Sequence, residues 1–491
     1  MRGERIVAVG DTATVRDLAG PGTACVGLDG AALFPGFHDA HTHLSGGALQ
    51  TERIDLRQAD GAEDAAERVA RAARERPRSA WVRGWGWDQS RWPGGGWPNR
   101  AILDRAVPEH RVVLSRIDGH AVWANAPALH ALGLPHDSTE PGFPPGILVE
   151  EHAEQALARI PVEGESTRRG ALERALAALG RVGITAVEDV CEPWSIPVYA
   201  SLAEERRLPA RVSLWLPFDL EDSQAAEWRR RHPPGDPWLA VGTRKIFLDG
   251  TLGARSAALE EPYCDEPGSG GRLRVDPGQL LRDARETDAE GWALALHAIG
   301  DRALRLALDV LGALPRASRS MPHRIEHLQV VAPADLPRLA STGAVASVQP
   351  VHLVDDAAWV EARLGPRRAA RSYPLRSLLR EGVPLALGTD WPVAPMDPLL
   401  GLVAASSFRA ARMVPDPAEA LSVEEAIRAY SAGSARARGA GGVLGRIAPG
   451  FLADMVVLSD DPTSVPAQEI GERVRVVATY VGGRRVFPAA V

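Results

Sequence analysis

Near the middle of the chain lies the segment Arg244-Lys-Ile-Phe-Leu-Asp-Gly250. A short apolar run bounded by glycines is typical of a buried strand. Lys245 is the only lysine among the 56 lysine and arginine residues of the chain. Arginine keeps its proton, whereas a buried lysine can lose it and then act as a nucleophile or add carbon dioxide to become a carbamate. Lys245 is therefore a candidate for such chemistry, and a buried ion pair is the alternative.

Other apolar runs also end in residues that bind metals. Phe37-His-Asp-Ala-His-Thr-His43 carries two histidines two positions apart, so on a strand His41 and His43 share a face. Three further runs end at His297, His327 and Asp390. Imidazole and carboxylate groups are ligands of Zn²⁺ and related divalent ions. One histidine at a strand end is more often structural, but this repetition indicates a divalent metal site.

The middle of the chain alternates between strand and helix patterns. The predicted strands are 37–43, 184–190, 211–217, 244–249, 293–298, 323–328, 344–349 and 384–390. The predicted helices between them include 167–181, 276–290, 300–312 and 366–381. This alternation predicts an α/β protein with a (β/α)8 TIM barrel. The metal-ligand candidates then lie at the carboxyl ends of strands one, four, five, six and eight, where barrel active sites form.

Both chain ends are rich in β-forming residues. We predict that residues 1–36, interpreted as short strands, join residues 441–491 in one composite β-sandwich, in which Gly482-Gly483 marks a hairpin. The barrel is predicted to span 37–440, with residues 52–160 inserted after strand one. The three ranges together account for the whole chain.

The insertion contains the motifs Gly84-Trp-Gly-Trp-Asp88 and Asp118-Gly-His-Ala121. Tryptophans beside glycines suit a lid that covers a substrate. The candidate substrate contacts are Trp85, Trp87, Asp88 and His120. The alternative is that the tryptophans pack the core of the insertion and that His120 is a structural histidine.

Composition excludes several classes of protein. Hydrophobic residues make up 45% and charged residues 24%, which is ordinary for a soluble globular enzyme. The net charge of −7 offers no basic surface for nucleic acid, and no apolar run is long enough to span a membrane. The N-terminus lacks the apolar core of a secretory signal, and the three cysteines are scattered. We predict a cytoplasmic protein with a small-molecule partner; a homo-oligomer is compatible with the sequence.

The ordered motifs resemble those of the amidohydrolase superfamily, and within it the amidohydrolase family 3 group that includes N-substituted formamide deformylases. They extend over nearly the whole chain. Those that carry the resemblance are Pro35-Gly-Phe-His-Asp-Ala-His-Thr-His43, Gly84-Trp-Gly-Trp-Asp88, Asp118-Gly-His-Ala121, Lys245-Ile-Phe-Leu-Asp-Gly-Thr-Leu-Gly253, His297-Ala-Ile-Gly-Asp301, His323-Arg-Ile-Glu-His327, Leu387-Gly-Thr-Asp390 and Ala448-Pro-Gly-Phe-Leu-Ala-Asp454. Members usually begin with one or two strands before the segment that starts at Arg5, so the terminal sheet is expected to lack a strand at one edge.

The resemblance implies a role for each ligand candidate. His41 and His43 would hold one metal, and Lys245, as its carbamate, would bridge to a second metal held by His297 and His327. Asp390 would contact the first metal and act as the base on a bridging hydroxide. One or two ions, of zinc by expectation, would be bound. Three carboxylates are candidates to orient the imidazoles: Asp249, Asp301 and Glu326. The alternative is that each is a helix cap or a surface carboxylate.

These motifs predict a metal-dependent hydrolase that cleaves an amide C–N bond other than a peptide bond, such as that of an N-acyl or N-formyl amine or a cyclic amide. The alternatives are an esterase or deaminase on the same metal site, or a non-catalytic ligand-binding barrel. Deaminases of the superfamily typically follow the strand-five histidine with x-x-Glu and lack the bridging lysine. Here His297 precedes Ala298-Ile-Gly300 and Lys245 is present, which favours amide hydrolysis.

Overall fold

The computed structural model describes residues 1–78, 80–117, 121–135, 142–315, 321–408 and 416–488. Its largest sheet has eight parallel strands, which confirms the predicted barrel. In chain order these are β1 Phe37–Thr42, β2 Ile184–Val190, β3 Arg211–Pro217, β4 Leu239–Phe247, β5 Ala293–Ala298, β6 Arg324–His327, β7 Val345–Val348 and β8 Leu385–Leu387. Nearly every residue of these strands is buried, as expected for parallel strands covered by helices.

The barrel closes where the chain beyond β8 meets the end of β1. The amide of Asp390 donates to the carbonyl of His41 at 2.7 Å, and the amide of His43 donates to the carbonyl of Trp391 at 2.8 Å. Two segments that carry metal-ligand candidates are therefore fixed to each other through their backbones.

Amphipathic helices connect the barrel strands. The helix Asp301–Gly312, for example, buries a stripe at spacings of three and four residues that includes Leu304, Leu308 and Leu311. The α-helices before, between and after these strands are Thr12–Arg16, Leu44–Thr51, Glu165–Arg181, Ile196–Glu204, Asp222–Arg231, Pro277–Ala289, Asp301–Gly312, Leu336–Thr342, His352–Asp356, Val360–Ala369, Leu375–Arg380, Pro398–Ser406, Val423–Arg428, Ser434–Ala437 and Ile470–Arg473.

Two local predictions were wrong. The stretch 366–381, predicted as one helix, is divided between Val360–Ala369 and Leu375–Arg380. Pro374 disfavours a helical conformation at Tyr373, which instead takes a positive φ of 51°. Residues 1–31, predicted as strands, contain the helix Thr12–Arg16 and isolated bridges at Arg2 and Arg5, and most of their side chains are exposed. Without a buried face, nothing holds these residues in a sheet.

The two chain ends meet in a four-stranded antiparallel sheet. Its order is Ala32–Pro35, Met455–Leu458, Val476–Val481 and Arg484–Phe487. Gly482 and Gly483 have φ values of 57° and 74° and form the predicted hairpin turn. Arg211, at the start of β3, makes two hydrogen bonds of 2.6 and 2.9 Å to Asp454, so a buried ion pair joins this sheet to the barrel.

A second compact unit spans Ala48–Ala171, in the region of the predicted insertion. It has its own five-stranded sheet and a core centred on Trp87 and Trp123. The strands are Ile54–Asp55, Trp81–Trp87, Arg111–Arg116, Ala121–Ala124 and Ile147–Val149, and the helices are Ala62–Ala73, Arg100–Ala106, Ala126–Leu132 and Glu150–Arg159.

Within the described parts of the chain, no helix is both long and apolar enough to cross a membrane. The cytoplasmic location stays a prediction.

Candidate metal centre

The carboxyl ends of the barrel strands bring the predicted ligands together. His41 lies near the end of β1, His43 follows that strand, and His297 and His327 lie at the ends of β5 and β6. His297 pairs in register with Glu326, and Ala298 pairs with His327. The His41 and His327 ring centroids are 4.9 Å apart, and those of His297 and His327 are 4.4 Å apart.

Left-handed backbone conformations make this convergence possible. Successive side chains of a regular strand point to opposite faces. His327 has a φ of 77°, and as a result both Glu326 and His327 reach His41. Asp390 also has a positive φ, of 58°. Such conformations cost about 1–3 kcal/mol each outside glycine and cluster at active sites.

Three ligand atoms, one each from His41, His327 and Asp390, lie within 4.8 Å of one another. Asp390 Oδ1 is 3.4 Å from His41 Nε2 and 3.2 Å from His43 Nε2. Ligands about 2.0–2.2 Å from a tetrahedral zinc ion lie roughly 3.3–3.6 Å from one another. The spacing therefore suits ligands that share one ion.

Several buried polar atoms of this cluster make no hydrogen bond with any described residue: His41 Nε2, Lys245 Nζ, His297 Nδ1, His327 Nδ1, His352 Nε2 and Asp390 Oδ1. The opposite ring nitrogens of two of the histidines are engaged. His41 Nδ1 lies 2.7 Å from Glu326 Oε2, and His297 Nε2 lies 3.1 Å from the carbonyl oxygen of Gly250. Metal-ligating histidines are typically held in this way, with one nitrogen donating to an oxygen and the other left for the metal. The donor set therefore fits a divalent metal ion.

Lys245 lies inside the barrel on β4 and is almost fully buried. Its Nζ is 4.8 Å from the ring centroid of Phe247 and 5.7 Å from that of Trp215. No described carboxylate lies within ion-pair distance of its Nζ, so the buried ion pair considered from the sequence is not formed. Burial lowers the pKa of Lys245 to about 8, which makes the neutral amine accessible near physiological pH.

Three of the histidines, His41, His297 and His327, are held neutral. Burial, followed by the charge of Lys245, lowers the pKa of His41 to about 4 and that of His297 to about 3. Burial also lowers the pKa of His327 well below its usual range. Neutral imidazole is the form that binds a metal ion. Burial alone would raise the pKa of Asp390, but His41, His43 and His327 together lower it, so the carboxylate is ionised.

A cavity of ≈ 370 Å³ opens onto this cluster. Its polar lining includes four histidines, Asp390, Gln329 and two further aspartates. Its apolar lining consists of Phe247, Leu252, Ile299, Trp359 and Val393. The cavity thus combines candidate metal ligands with room for an apolar substituent.

The sequence matches the model of the amidohydrolase family over residues 25–487. The chain belongs to the amidohydrolase family. The resemblance seen in its motifs is thereby confirmed. Family membership and a cluster of histidine and aspartate side chains that could hold a metal ion support a metal-dependent hydrolase.

Known proteins resemble this amidohydrolase over nearly its whole length. It is 33% identical to Protein LONG AFTER FAR-RED 3 of Arabidopsis thaliana, with 99% of this chain and 88% of that protein aligned. It is 27% identical to the N-substituted formamide deformylase of Arthrobacter pascens, with 98% and 93% aligned. Its fold matches an uncharacterized metal-dependent hydrolase from Pyrococcus horikoshii OT3 with a TM-score of 0.81 and 29% identity, covering 96% and 95% of the two chains.

Next to His41, the barrel contains a network of buried charged residues: Arg324, Glu326 and Glu188. Of these, only Glu326 was singled out from the sequence. Arg324 donates to Glu326 and lies 2.8 Å from Glu188 on β2. Trp215 packs on the Arg324 guanidinium at 4.2 Å and donates to Glu188 at 3.1 Å. The Arg324 charge and the bond from His41 outweigh the effect of burial and lower the pKa of Glu326 to about 2. The signal was available, because charged residues inside predicted buried strands must be paired.

The other two carboxylates predicted to orient the imidazoles, Asp249 and Asp301, contact different parts of the molecule. Asp249 accepts the amides of Ala258, Ile299 and Gly300, so it fixes the loop that follows His297, and one of its oxygens is 3.4 Å from His297 Nε2. Asp301, in contrast, accepts the amide of Glu260 at the start of its helix. Asp249 and Glu326 therefore contact metal-ligand candidates, and Asp301 takes a structural position.

Three of the residues predicted to contact substrate are described, and each contacts another residue of the 48–171 unit. Trp87 is fully buried in the unit's core and donates its indole N–H to the Leu114 carbonyl. The Arg57 guanidinium lies 4.7 Å over the ring of Trp85, and Asp88 pairs with Arg116 at 3.0 Å. Trp87 therefore packs in the core of the unit, which was the alternative to substrate contact for the tryptophans. His120 lies outside the described residues.

Proposed function

We propose that this amidohydrolase cleaves an amide C–N bond other than a peptide bond, in an N-acyl amine, N-formyl amine or cyclic amide. The observation that carries the proposal is the group of buried, unpartnered ligand atoms at the carboxyl end of the barrel. The relative named N-substituted formamide deformylase supports this substrate class. The apolar residues that line the cavity support a substrate with an apolar N-substituent.

The ligands we propose are His41, His43, His297, His327, Asp390 and Lys245, with zinc as the ion. A divalent ion held there lowers the pKa of water to about 7 and polarises a carbonyl oxygen. Asp390 accepts the proton of the attacking water and delivers it to the nitrogen that leaves as an amine. Water is thereby added across the C–N bond, and the products are a carboxylic acid and an amine.

We propose further that Lys245 is carbamylated. Its neutral Nζ attacks carbon dioxide, an N–C bond forms, a proton is released, and the resulting anion joins the metal ligands. Burial favours the neutral amine that this step requires, and the absence of an ion-pair partner among the described residues leaves the amine free to react. Metal and carbamate are expected to form together, since the cations stabilise the anion.

A hydrolysis screen of zinc-reconstituted protein tests the proposal. The panel pairs N-formyl and N-acyl amines with esters of the same acyl groups, and adds cyclic amides and aminopurines. Amide turnover that disappears with chelator and returns with metal supports it. Turnover of the esters alone, or deamination of the aminopurines alone, overturns the C–N amide assignment in favour of the two alternatives drawn from the sequence.

A further inference from the structure

His352 lies at the reacting centre although no sequence motif drew attention to it. It begins the helix His352–Asp356, just beyond the end of β7. Its Nε2 is 3.5 Å from Asp390 Oδ2, and its ring lies nearly parallel to that of His327, with 14° between the planes and 6.3 Å between the centroids. The side chain lines the cavity that opens onto the ligand cluster.

The helix that carries His352 is anchored without the help of its imidazole. The backbone amide of His352 donates to the carbonyl of Gln349 at 3.1 Å. At the end of the helix, Asp356 accepts hydrogen bonds from Tyr373 and Gln329. The imidazole is therefore positioned by a supported element and is free to serve another purpose.

His352 Nε2 is buried and makes no hydrogen bond with a described residue. An unsatisfied buried polar atom destabilises the protein. Among the residues that line the cavity, Phe247, Trp359 and Val393 have no acceptor, and Asp390 Oδ2 lies 3.5 Å from the nitrogen. A group of the substrate that accepts a hydrogen bond would remove this destabilisation.

The two oxygens of Asp390 face different partners. Oδ1 faces His41 and His43, the proposed metal ligands, whereas Oδ2 faces His352. In the proposed reaction, the water that attacks the substrate carbonyl gives its proton to Asp390. The carbonyl must therefore lie close to the Asp390 carboxylate. His352 Nε2 is therefore within reach of the same carbonyl.

We propose that His352 is a catalytic residue whose Nε2–H donates a hydrogen bond to the substrate carbonyl oxygen as that oxygen gains negative charge. This inference rests on the proposed function. The donor acts on charge that develops in the transition state, so it raises kcat more than it tightens substrate binding.

Three variants test the role: His352→Ala, His352→Gln, which keeps an N–H donor, and His232→Ala. His232 is a matched control, because it is also buried with an unpartnered Nε2 but borders a different cavity. We expect kcat of His352→Ala to fall about 10²–10³-fold with KM and metal content unchanged. His352→Gln should retain part of the lost activity, and His232→Ala should keep the wild-type kcat.

A second measurement separates this inference from the proposed function. A phosphonate that mimics the tetrahedral adduct is titrated calorimetrically into each zinc-loaded protein. Its affinity should fall in His352→Ala by the same factor as kcat/KM. If the wild type hydrolyses esters but no amides, the proposed function fails, while loss of phosphonate affinity in His352→Ala still supports the donor role. Unchanged phosphonate affinity, or loss of metal together with activity, overturns it.

Discussion

The two ends of the barrel both bury charged side chains, but they satisfy them differently. At the amino end, Arg211 is fully buried, makes two hydrogen bonds to Asp454, and donates a third to the Pro237 carbonyl. At the carboxyl end, Lys245 is equally buried, and its Nζ has no hydrogen-bond partner among the described residues.

The difference distinguishes groups that stabilise the fold from groups kept for a ligand. A buried charge with complete hydrogen bonding is compatible with a purely structural role. A cluster of buried nitrogens and a carboxylate oxygen without partners destabilises the protein unless something else binds them. The amino end thus joins the terminal sheet to the barrel, and the carboxyl end carries a cluster of side chains that could hold a metal ion.

The sharpest test of this contrast is Lys245→Arg, which preserves the charge. We expect activity to be almost completely lost, because a guanidinium can neither form the carbamate nor bind a metal. Lys245→Ala should recover part of its activity with a short carboxylic acid and divalent metal, which supply the missing anion. In the wild type, NMR with ¹³C-labelled bicarbonate should reveal a carbamate carbon. Wild-type activity and metal content in Lys245→Arg would disprove the carbamate.

Much of the fold could be predicted because the eight strands are short apolar runs and five of them carry conspicuous ligand residues at or near their ends. The predicted bounds of β2, β3 and β5 agree with the structure to the residue. The approach of His352 to Asp390 could not be predicted, since it depends on the turn after β7 and on the positive φ of Asp390. The pairing of Arg324 with Glu188 is likewise a contact between strands that are distant in sequence.

Asp390→Asn should cause the next largest loss of activity. The side chain keeps its shape but can no longer accept the proton of the attacking water, so kcat should fall about 10²–10⁴-fold. Circular dichroism should report an unchanged fold. Near-normal turnover in this variant would refute the role of Asp390 as general base.

Asp454→Asn tests the other end of the barrel. It leaves the Arg211 charge buried without its partner, so the free energy of unfolding should fall by about 3–5 kcal/mol, while kcat of the folded enzyme stays close to wild type. Denaturant unfolding and activity below the transition measure the two effects. The double variant Arg211→Met/Asp454→Leu should recover most of the stability. A loss of kcat without a loss of stability would contradict the division between the two ends.

Glu326→Gln should have a smaller effect on the metal centre. The neutral amide holds His41 Nδ1 less strongly than the carboxylate does at 2.7 Å. We expect metal affinity to fall about 10–100-fold, as is typical when a group that orients a metal ligand is changed. Competition with a chromophoric chelator measures the dissociation constant. Unchanged affinity would show that the Arg324 network does not support His41.

Zinc stoichiometry after reconstitution of metal-free protein shows directly whether the unpartnered atoms at the carboxyl end of the barrel hold a metal ion. We predict about one to two ions per chain in the wild type and in Asp454→Asn. We predict well below one ion in a His41→Ala/His327→Ala double variant, which removes two proposed ligands while leaving the Arg211–Asp454 pair intact. A wild type that binds well below one ion per chain, or a double variant loaded to the same level as the wild type, would contradict this prediction.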